Sequence, residues 1–379
     1  MKNISFNVPP KTGKEEECIR KAIESRHICG DGEFTKLCSS FLEKDTGAKR
    51  VLLTTSGTHT LELAAHLCDL QSGDEVILPS YTFSSTANAF ALEGATLVFV
   101  DVDPKTMNIS PEAIEQAITD KTKVICAVHY AGVGCDMDRI CDIASRYGLM
   151  LVEDAAQAVC ADYKGKRLGT FGTFGCYSFH ETKNYSMGEG GALLINDASY
   201  IERAEIMREK GTDRSLFLRG QVDKYTWRDI GSSYLPSELN AAYLWPQLEM
   251  FREINENRLA SWNRYYKALS RLSEKGKIEL PYVPSECSHN AHMFYIKTKS
   301  LGERTSLSAF LKERGILAVF HYVPLHSAAA GRKYGRFNGE DLYTTSESER
   351  LLRLPMYYGL EPADIDWIVN SIYDFYANN

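Results

Sequence analysis

Residues 123–157 read KVICAVHYAGVGCDMDRICDIASRYGLMLVEDAAQ, and this stretch decides the fold. Lys123–Val128 and Met150–Val152 are apolar runs with the length of buried strands. Between them, Asp138–Tyr147 places its apolar residues at helical spacing. A strand, a helix and a second apolar strand in this order are typical of a parallel sheet whose two faces are both covered.

The same alternation continues on both sides of this unit. Strand-length apolar runs recur at Glu75–Leu78, Thr96–Val100, Gly175–Phe179 and Ala192–Ile195. Amphipathic helix candidates lie among them at Thr58–Leu70 and Pro111–Ile118. The sequence therefore predicts an α/β fold with a mostly parallel central sheet covered by helices.

The C-terminal third has a different pattern. A helical stretch at about Glu238–Ser273 contains Pro246, where we expect a bend. Extended segments follow at 292–297 (HMFYIK) and 317–324 (LAVFHYVP), with helix candidates at Ser306–Arg314 and Ile365–Tyr376. Since no glycine-rich linker separates the two patterns, we expect two packed domains, a large one at 1–248 and a smaller α+β one at 249–379.

Composition excludes several classes of protein. The chain has 379 residues, of which 44% are hydrophobic and 25% charged, which excludes a disordered chain. The net charge of -7 argues against a nucleic-acid-binding protein. Ten cysteines without a C-x-x-C pair give no metal-ligand set and fit a reducing compartment. With neither a secretory signal nor an apolar run of membrane-spanning length, we expect a cytoplasmic protein without membrane insertion.

Three segments at predicted strand ends carry candidate chemistry. In the first, Thr54–Thr58 reads TTSGT ahead of a helix. Backbone N–H groups at a helix N-terminus, together with hydroxyls, form an anion cradle, and Gly57 allows close approach. The same pattern is also typical of a plain turn with a capping serine, so both interpretations stay open.

The second segment, Val152–Gln157, reads VEDAAQ at the end of a buried strand. Open α/β sheets bind their ligands at this edge, and the small residues after the acids leave room for a ligand. A helix-capping aspartate without a ligand is the alternative interpretation of Asp154.

The third segment contains Lys183, which follows the strand ending at Phe179 and precedes the glycine-rich turn at 188–191. A lysine held away from bulk water has a lowered pKa and acts as an amine nucleophile toward an aldehyde. The alternative is a solvated lysine in a surface loop. Together, a lysine, an anion cradle and an acid match what pyridoxal 5'-phosphate (PLP) requires.

Five motifs carry a resemblance to a known family. They are TTSGT (54–58), LPSYTFSSTAN (78–88), VEDAAQ (152–157), GCYSFHETKN (175–184) and GEGGALLIND (188–197). The chain resembles the sugar-nucleotide aminotransferases of the DegT/DnrJ/StrS group over essentially its whole length. The resemblance implies the PLP-dependent transferase fold type I and a homodimer or a dimer of dimers.

The resemblance also implies roles for cofactor-binding residues. Lys183 would hold PLP through a Schiff base, and Asp154 would pair with the pyridinium nitrogen. Gln157 would hydrogen-bond near the ring hydroxyl, and Phe83 would stack on the ring. The phosphate would be held by Gly57, Thr58 and Ser178. Relatives place an Asn of the neighbouring subunit near the phosphate, within a G-x-N-Y pattern. Here Ser233 replaces it, and that contact stays open.

The substrate end of the predicted site is less sharply marked. His180, His321 and Tyr322 would line the sugar site, whereas a packed strand is the alternative interpretation of His321. Arg214 belongs to a basic group whose guanidinium side chains suit a diphosphate. That group consists of Arg203, Arg208, Arg214, Arg219 and Arg228, and for Arg203 and Arg208 a solvated helix face is the preferred interpretation.

The reaction that the resemblance implies is transfer of an amino group from L-glutamate to C4 of dTDP-4-keto-6-deoxy-D-glucose. The product would be dTDP-4-amino-4,6-dideoxy-D-galactose, a sugar of cell-surface polysaccharides such as enterobacterial common antigen and O-antigen. Two alternatives remain. One is a related aminotransferase with a gluco product or with chemistry at C3. The other is a sensor that binds a sugar nucleotide without turning it over.

Overall fold

The computed structural model describes residues 3–377. Its strands are β1 (Arg50–Thr54), β2 (Glu75–Pro79), β3 (Thr96–Val100), β4 (Thr122–Val128), β5 (Met150–Asp154), β6 (Asp162–Tyr163), β7 (Lys166–Arg167), β8 (Phe174–Ser178), β9 (Gly191–Ile195), β10 (Cys287–Ser288), β11 (Phe294–Lys297), β12 (Gly335–Phe337) and β13 (Leu351–Leu354). Its α-helices are α1 (Glu15–Glu24), α2 (Glu33–Thr46), α3 (Gly57–Leu67), α4 (Ser84–Leu92), α5 (Pro111–Ala117), α6 (Met137–Tyr147), α7 (Ile201–Arg208), α8 (Arg214–Leu218), α9 (Glu238–Glu249), α10 (Phe251–Glu274), α11 (Leu301–Glu313), α12 (Ala329–Tyr334), α13 (Thr344–Arg350) and α14 (Pro362–Ala377). Within this described range, no helix has the length and hydropathy that a bilayer crossing needs.

A central sheet of eight strands, in the order β1-β9-β8-β5-β4-β2-β3-β12, dominates the molecule. Only β9 runs against its neighbours β1 and β8, and the remaining pairs in the sheet are parallel. Apolar cores cover both faces of the sheet, which explains why its strands are apolar at nearly every position. The predicted α/β fold with a mostly parallel sheet is confirmed.

The strand order and register bring four chain segments to one edge of the sheet. Val128 at the end of β4 pairs with Asp154 at the end of β5, and Asp154 pairs with Cys176 of β8. Since β1 and β8 both run antiparallel to β9, they are parallel to each other. The segments that follow β1, β4, β5 and β8 therefore meet at the same carboxyl edge.

Side-chain caps set the starts of the helices that follow these strands. Ser56 accepts a hydrogen bond from the backbone N–H of His59 and begins α3 directly after β1. Asp136 likewise accepts from the N–H of Arg139 and begins α6. The short connections leave the carboxyl ends of the strands facing the first helical turns.

The break in the long C-terminal helical stretch lies later than predicted. Helix α9 contains Pro246 and continues to Glu249, and α10 begins at Phe251. Proline removes a backbone donor and crowds the carbonyl four residues earlier. In this chain the helix continues to Glu249 and is ended by Met250, which has a non-helical ψ of 22°.

Two other C-terminal predictions change in detail. Helix α11 begins at Leu301, earlier than Ser306, because Ser300 caps it by accepting from the N–H of Glu303. The segment 317–324 contributes to a sheet only through a single bridge from Val319 to Arg353.

The C-terminal third is tied back to the large sheet. Its core packs α10, α11 and α14 against β11 and β13 and includes Ile4 from the N-terminal segment. Ile4 bridges to Ile316, and β12 adds a parallel strand to β3 at the edge of the large sheet. The predicted domain boundary between residues 248 and 249 stays a prediction. Each of the two predicted domains forms backbone pairing with the other, through Ile4 and through β12.

Candidate active site

A pocket of about 560 Å³ lies at the carboxyl edge of the sheet, between the sheet and the C-terminal third. Ten of the predicted site residues line it: Gly57, Thr58, Phe83, Asp154, Gln157, Ser178, His180, Lys183, His321 and Tyr322. A larger cavity of about 770 Å³ lies elsewhere, and none of these residues lines it. The fold therefore gathers residues that are far apart in sequence into one concave site.

One end of the pocket is a cradle at the start of α3. The backbone N–H groups of Gly57 and Thr58 have no acceptor within residues 3–377. A Cβ atom on Gly57 would lie 2.7 Å from Ser178 Cβ and 2.8 Å from its hydroxyl, so only glycine fits between the helix and β8. Thr58 Oγ1 lies 2.7 Å from Ser85 Oγ. Unpaired donors at a helix N-terminus, surrounded by hydroxyls, are suited to a phosphate group.

The two neighbouring acids at the end of β5 have different environments. Glu153 is completely buried and accepts hydrogen bonds from the backbone N–H groups of Gly169, Phe171 and Gly172. It also lies 2.9 Å from Nε2 of His129. With its oxygens fully engaged inside the protein, Glu153 has a structural role and does not face the pocket.

Asp154, in contrast, lines the pocket while nearly all of its surface is buried. Its Oδ2 accepts from the Thr86 hydroxyl at 2.7 Å, and its Oδ1 accepts from the backbone N–H of Ala156 at 3.1 Å. No cation forms a salt bridge with it within residues 3–377. A carboxylate held in place in this way is positioned to receive a positively charged or N–H group from a ligand.

Lys183 reaches the pocket from the turn that follows β8. Its Nζ makes neither a hydrogen bond nor a salt bridge with another described residue. The pKa of Lys183 is lowered from 10.5 to about 8, chiefly by burial; the negative charge of Asp154 opposes this shift and the positive charge of Arg353 contributes to it. A substantial fraction of Lys183 is therefore an uncharged amine near neutral pH, as a nucleophile toward an aldehyde must be.

This lowered pKa predicts the pH dependence of labelling of the cofactor-free protein. Because Lys183 loses its proton near pH 8, its reaction with an amine-selective aryl fluoride should rise through pH 8 and level off above about pH 9. Exposed lysines, with a pKa of about 10.4, should continue to gain reactivity beyond that pH. Peptide mapping by mass spectrometry measures both in one sample. An identical pH profile for Lys183 and the exposed lysines would contradict the environment described here.

Aromatic rings form the wall opposite the sheet. Phe83 is 57% exposed and its ring lies 6.1 Å from that of Tyr322. The Nε2 of Gln157 donates to the Tyr322 hydroxyl at 3.0 Å, and its Oε1 accepts from the backbone N–H of Ala131. The ring of His321 stacks on Tyr322 with centroids 3.5 Å apart. Phe83 therefore offers an open aromatic face toward the pocket.

Not every predicted residue is brought to this site. Arg214 does not line the pocket, and its Nη1 lies 3.2 Å from Oε1 of the buried Glu209. The interpretation of Arg208 as part of a solvated face is wrong, because its side chain is buried and pairs with Asp31 at 2.8 Å. Carboxylates also pair with the other arginines of the group, Arg203, Arg219 and Arg228. Ser233 is exposed and lies outside the pocket.

The structure adds pocket residues that sequence reasoning missed. Thr86 holds Asp154, and His292 and Arg353 line the wall contributed by the C-terminal third. Burial lowers the pKa values of both His292 and His321 well below 6.5, so both rings are neutral at pH 7. The sequence does mark Arg353, since it is a charged residue within the otherwise apolar run LLRLPM at positions 351–356.

Comparisons with known proteins agree with this geometry. Residues 10–373 match the model of the DegT/DnrJ/EryC1/StrS aminotransferase family. A Geobacillus stearothermophilus protein described as a pleiotropic regulatory protein is 34% identical over 359 residues, which cover 93% of this chain and 92% of that protein. The aminotransferase TlmJ from Streptoalloteichus hindustanus superposes with a TM-score of 0.91 at 26% identity, covering 100% of both chains. A DegT DnrJ EryC1 StrS aminotransferase from Brucella abortus superposes with a TM-score of 0.87 at 29% identity, covering 96% of this chain and 95% of the other.

Proposed function

The chain belongs to the DegT/DnrJ/EryC1/StrS aminotransferase family, and from that membership we propose its substrates and the residues that act on them. Members of this family are PLP-dependent enzymes, and the fold is the type I fold of PLP-dependent transferases. We propose transfer of the amino group of L-glutamate to C4 of dTDP-4-keto-6-deoxy-D-glucose. The product is dTDP-4-amino-4,6-dideoxy-D-galactose, a precursor for cell-surface polysaccharide.

The residues of the pocket fit PLP. The observation that carries the proposal is the juxtaposition of an unpaired lysine, a fixed aspartate and a helix-start cradle in one cavity. The proposed phosphate-binding residues are Gly57, Thr58 and Ser178, because the α3 N–H groups there have no other acceptor among the described residues. Asp154 is proposed to pair with the ring nitrogen, Gln157 to hydrogen-bond near the ring hydroxyl, and Phe83 to cover one ring face. When bound, PLP supplies an electron sink for bond cleavage at the donor's α-carbon.

Lys183 has two proposed tasks. It would hold the cofactor covalently, and its amine would move a proton at the donor's α-carbon as a general base and then as a general acid. A pKa of about 8 suits both directions, since the proton is neither held too tightly nor absent. Asp154 supports this chemistry by keeping a negative charge in the pocket, where it favours a protonated ring nitrogen.

The sugar substrate is proposed to bind at the wall formed by His180, His321 and Tyr322. His180 lies at the rim, where its Nδ1 is 2.9 Å from the Thr182 hydroxyl. The neutral ring of His321 hydrogen-bonds with the Tyr130 hydroxyl through Nδ1 at 2.9 Å. The Tyr322 hydroxyl and the neutral ring of His321 offer polar contacts without a fixed charge, as the uncharged keto-sugar ring requires.

A homodimer is proposed from the segment 217–230, which leaves large apolar side chains uncovered. Trp227 is 79% exposed, and Ile230 and Leu218 are 66% and 61% exposed. Burying such a patch against a second copy would remove apolar surface from water. Arg214 lies next to this segment, and its proposed role toward the diphosphate depends on the dimer bringing it to a pocket. Light scattering of the purified protein tests the dimer, and a monomer would contradict it.

The decisive test of function incubates the protein with PLP, L-glutamate and the keto sugar. We expect oxoglutarate release that depends on the keto sugar, together with a product of the mass of an amino sugar nucleotide. NMR of that product distinguishes a galacto from a gluco configuration at C4 and both from amination at C3. Binding of the sugar nucleotide without oxoglutarate release would instead support a sensor.

Replacing Gly57 with alanine is expected to weaken PLP binding about 10- to 100-fold. The added Cβ would lie 2.7 Å from Ser178, and forcing an extra methyl group into a packed site costs roughly 1–3 kcal/mol. Equilibrium dialysis of PLP against the cofactor-free protein measures the effect. Gly302→Ala is a matched control, because its Cβ would meet only the Ser300 hydroxyl, at 3.8 Å. Equal affinity in the two variants would count against a phosphate at this cradle.

A further inference from the structure

His292 is a pocket histidine whose backbone is fixed by a buried arginine. It lies just before β11 in the C-terminal third and lines the same pocket as Lys183. The side chain of Arg258, a residue that is only 1% exposed, donates to the backbone carbonyls of Ala291 at 3.2 Å and of His292 at 2.7 Å. Ala291 has a φ of 49°, which a residue with a side chain keeps only where its surroundings hold it.

The side-chain amide of Asn290 can be oriented from its partners. Its Nδ2 donates to the backbone carbonyls of Gln157 and Val159, both at 2.8 Å, and a carbonyl oxygen can only accept. Its Oδ1 therefore points the other way, where it accepts from the backbone N–H of His292 at 3.0 Å. His292 is thereby tied to the segment that follows β5.

A second amide, that of Asn184, sets the position of the hydrogen on the His292 ring. Asn184 follows Lys183 directly and is buried, and its Nδ2 donates to the backbone carbonyl of Asn290 at 2.8 Å. Its Oδ1 lies 3.0 Å from Nδ1 of His292 and, as an amide oxygen, can only accept, so Nδ1 carries the hydrogen. Because burial lowers the pKa of His292 well below 6.5, the ring is neutral and its Nε2 has a lone pair in place of a hydrogen.

The lone pair on Nε2 has no donor inside the protein. Within residues 3–377 no group hydrogen-bonds with it, and Nε2 is not among the unpartnered nitrogen atoms that are shut off from solvent. Since Nδ1 faces Asn184, the opposite side of the ring is the one that meets the pocket. The positive charge of Lys183 acts on this ring, so the acceptor lies close to the amine of the site.

Most groups of the proposed ligands are not able to donate to this lone pair. The carboxylates of the amino donor, the cofactor phosphate and the diphosphate of the sugar nucleotide are acceptors. The ring nitrogen and the ring hydroxyl of the cofactor have proposed partners in Asp154 and Gln157. The hydroxyl groups of the sugar remain as donors. His292 also lies close enough to His321, on the wall proposed for the sugar, for its charge to affect the pKa of that ring.

We propose that His292 is a specificity-determining residue that accepts a hydrogen bond through Nε2 from a sugar hydroxyl near the keto carbon, with Asn184 and Asn290 as positioning residues. The inference rests on the proposed amino transfer and adds a recognition contact for the acceptor sugar. It also gives a reason for the place of Asn184. The turn that presents the amine of Lys183 also fixes which nitrogen of the His292 ring is free to accept.

A binding measurement tests the contact without turnover. The PLP form has no amino group to transfer, so it binds the keto sugar without reacting, and calorimetry gives the Kd. His292→Phe removes both ring nitrogens and should weaken binding about 5- to 100-fold, as expected when a polar group loses its partner. His292→Gln can place an amide oxygen near the position of Nε2 and should retain more affinity. The nucleotide dTDP, which lacks the sugar, should bind to His292→Phe as it does to the wild type.

The two halves of the reaction separate the sugar from the amino donor. Conversion of the PLP form by L-glutamate alone, followed by absorbance in a stopped-flow instrument, should keep its half-saturating glutamate concentration in His292→Phe. In the half that starts from the pyridoxamine phosphate form, the half-saturating keto-sugar concentration should rise by the factor found for binding. His66→Phe is the matched control, because His66 lies 2.8 Å from Glu93 and does not line the pocket. That variant should leave both halves unchanged.

Nitrogen NMR tests the positioning network on its own. With 15N-labelled histidine, a long-range correlation spectrum distinguishes protonated from unprotonated ring nitrogens, and the signal lost in His292→Phe assigns this ring. We expect Nε2 of His292 to be unprotonated at pH 7 and to shift when the keto sugar binds. In Asn184→Ala, which removes the acceptor at Nδ1, the other tautomer should become populated.

Four results would overturn the proposal. They are a protonated Nε2 in the wild type, unchanged keto-sugar affinity in folded His292→Phe, an equal loss of dTDP affinity, and an equal defect in the glutamate half. The third would assign His292 to the nucleotide and the fourth to Lys183 or the amino donor. A wild type that binds the keto sugar but transfers no amino group contradicts the proposed function alone. Normal keto-sugar saturation by His292→Phe in an active enzyme contradicts only the role of His292, and a wild type that does not bind the keto sugar contradicts both.

Discussion

Replacing Lys183 with alanine is expected to abolish amino transfer and to remove the visible absorbance of the purified protein. The side chain is the only lysine lining the pocket formed by the described residues, and burial lowers its pKa to about 8. Its loss would remove both the proposed covalent link to PLP and the group proposed to move the proton. A positioned acid and base contributes about 10²–10⁴-fold on its own, so we expect a loss at or above the upper end of that range.

The measurement compares turnover, absorbance and melting temperature of the wild type and the variant. The exposed Lys36 provides a control, since Lys36→Ala should retain all three. We expect Lys183→Ala to fold, because its Nζ makes no hydrogen bond or salt bridge that the described structure would lose. Turnover comparable to that of the wild type, or an unchanged absorbance, would refute the assignment of Lys183.

Asp154→Asn is expected to keep the fold and to lose roughly 160- to 5,000-fold in turnover. The variant has the same shape, and its Oδ1 can still accept from the N–H of Ala156, while the Thr86 hydroxyl can rotate to accept from the new amide. What it lacks is the carboxylate charge that we propose to face the ring nitrogen. Removing one partner of a buried ion pair costs about 3–5 kcal/mol, and each 1.36 kcal/mol is a factor of about ten.

The neighbouring acid provides a matched control. Glu153→Gln alters a carboxylate that accepts three backbone N–H groups and contacts His129, away from the pocket. We expect it to lower the melting temperature while the folded fraction keeps its turnover per bound PLP. Asp154→Asn should show the opposite pattern. Full turnover by Asp154→Asn, or a loss of stability in place of activity, would contradict the role given to Asp154.

Much of the site was predictable because its residues come directly after strands. Parallel strands with covered faces are apolar throughout, so the polar residues that follow them, such as Asp154 and Ser178, stand out in the sequence. Strand ends at one edge must lie together, and the register of β4, β5 and β8 brings them there. Together with the lysine in the turn after β8, the acid and the anion cradle form a combination that few functions other than PLP binding need.

The wall from the C-terminal third was harder to predict. Alternation along β13 places Leu351 and Arg353 on one face and Leu352 and Leu354 on the other, but sequence does not tell which face meets the cleft. Strand β12 has only the residues Gly335–Phe337, too short for a periodic signal. Arg208 was misjudged because its partner Asp31 is distant in the chain. These contacts depend on tertiary packing, which local patterns do not encode.

The pairing of β12 with β3 has a consequence for biosynthesis. Until residues 335–337 leave the ribosome, β3 is the edge strand on its side of the sheet, and the backbone donors and acceptors on its outer edge have no strand to pair with. An apolar strand in that state is a template for pairing with another chain. A nascent chain released before this point would therefore be prone to aggregate, even though its sheet is otherwise complete. The last third of the protein thus covers an edge strand that the first two thirds would leave exposed.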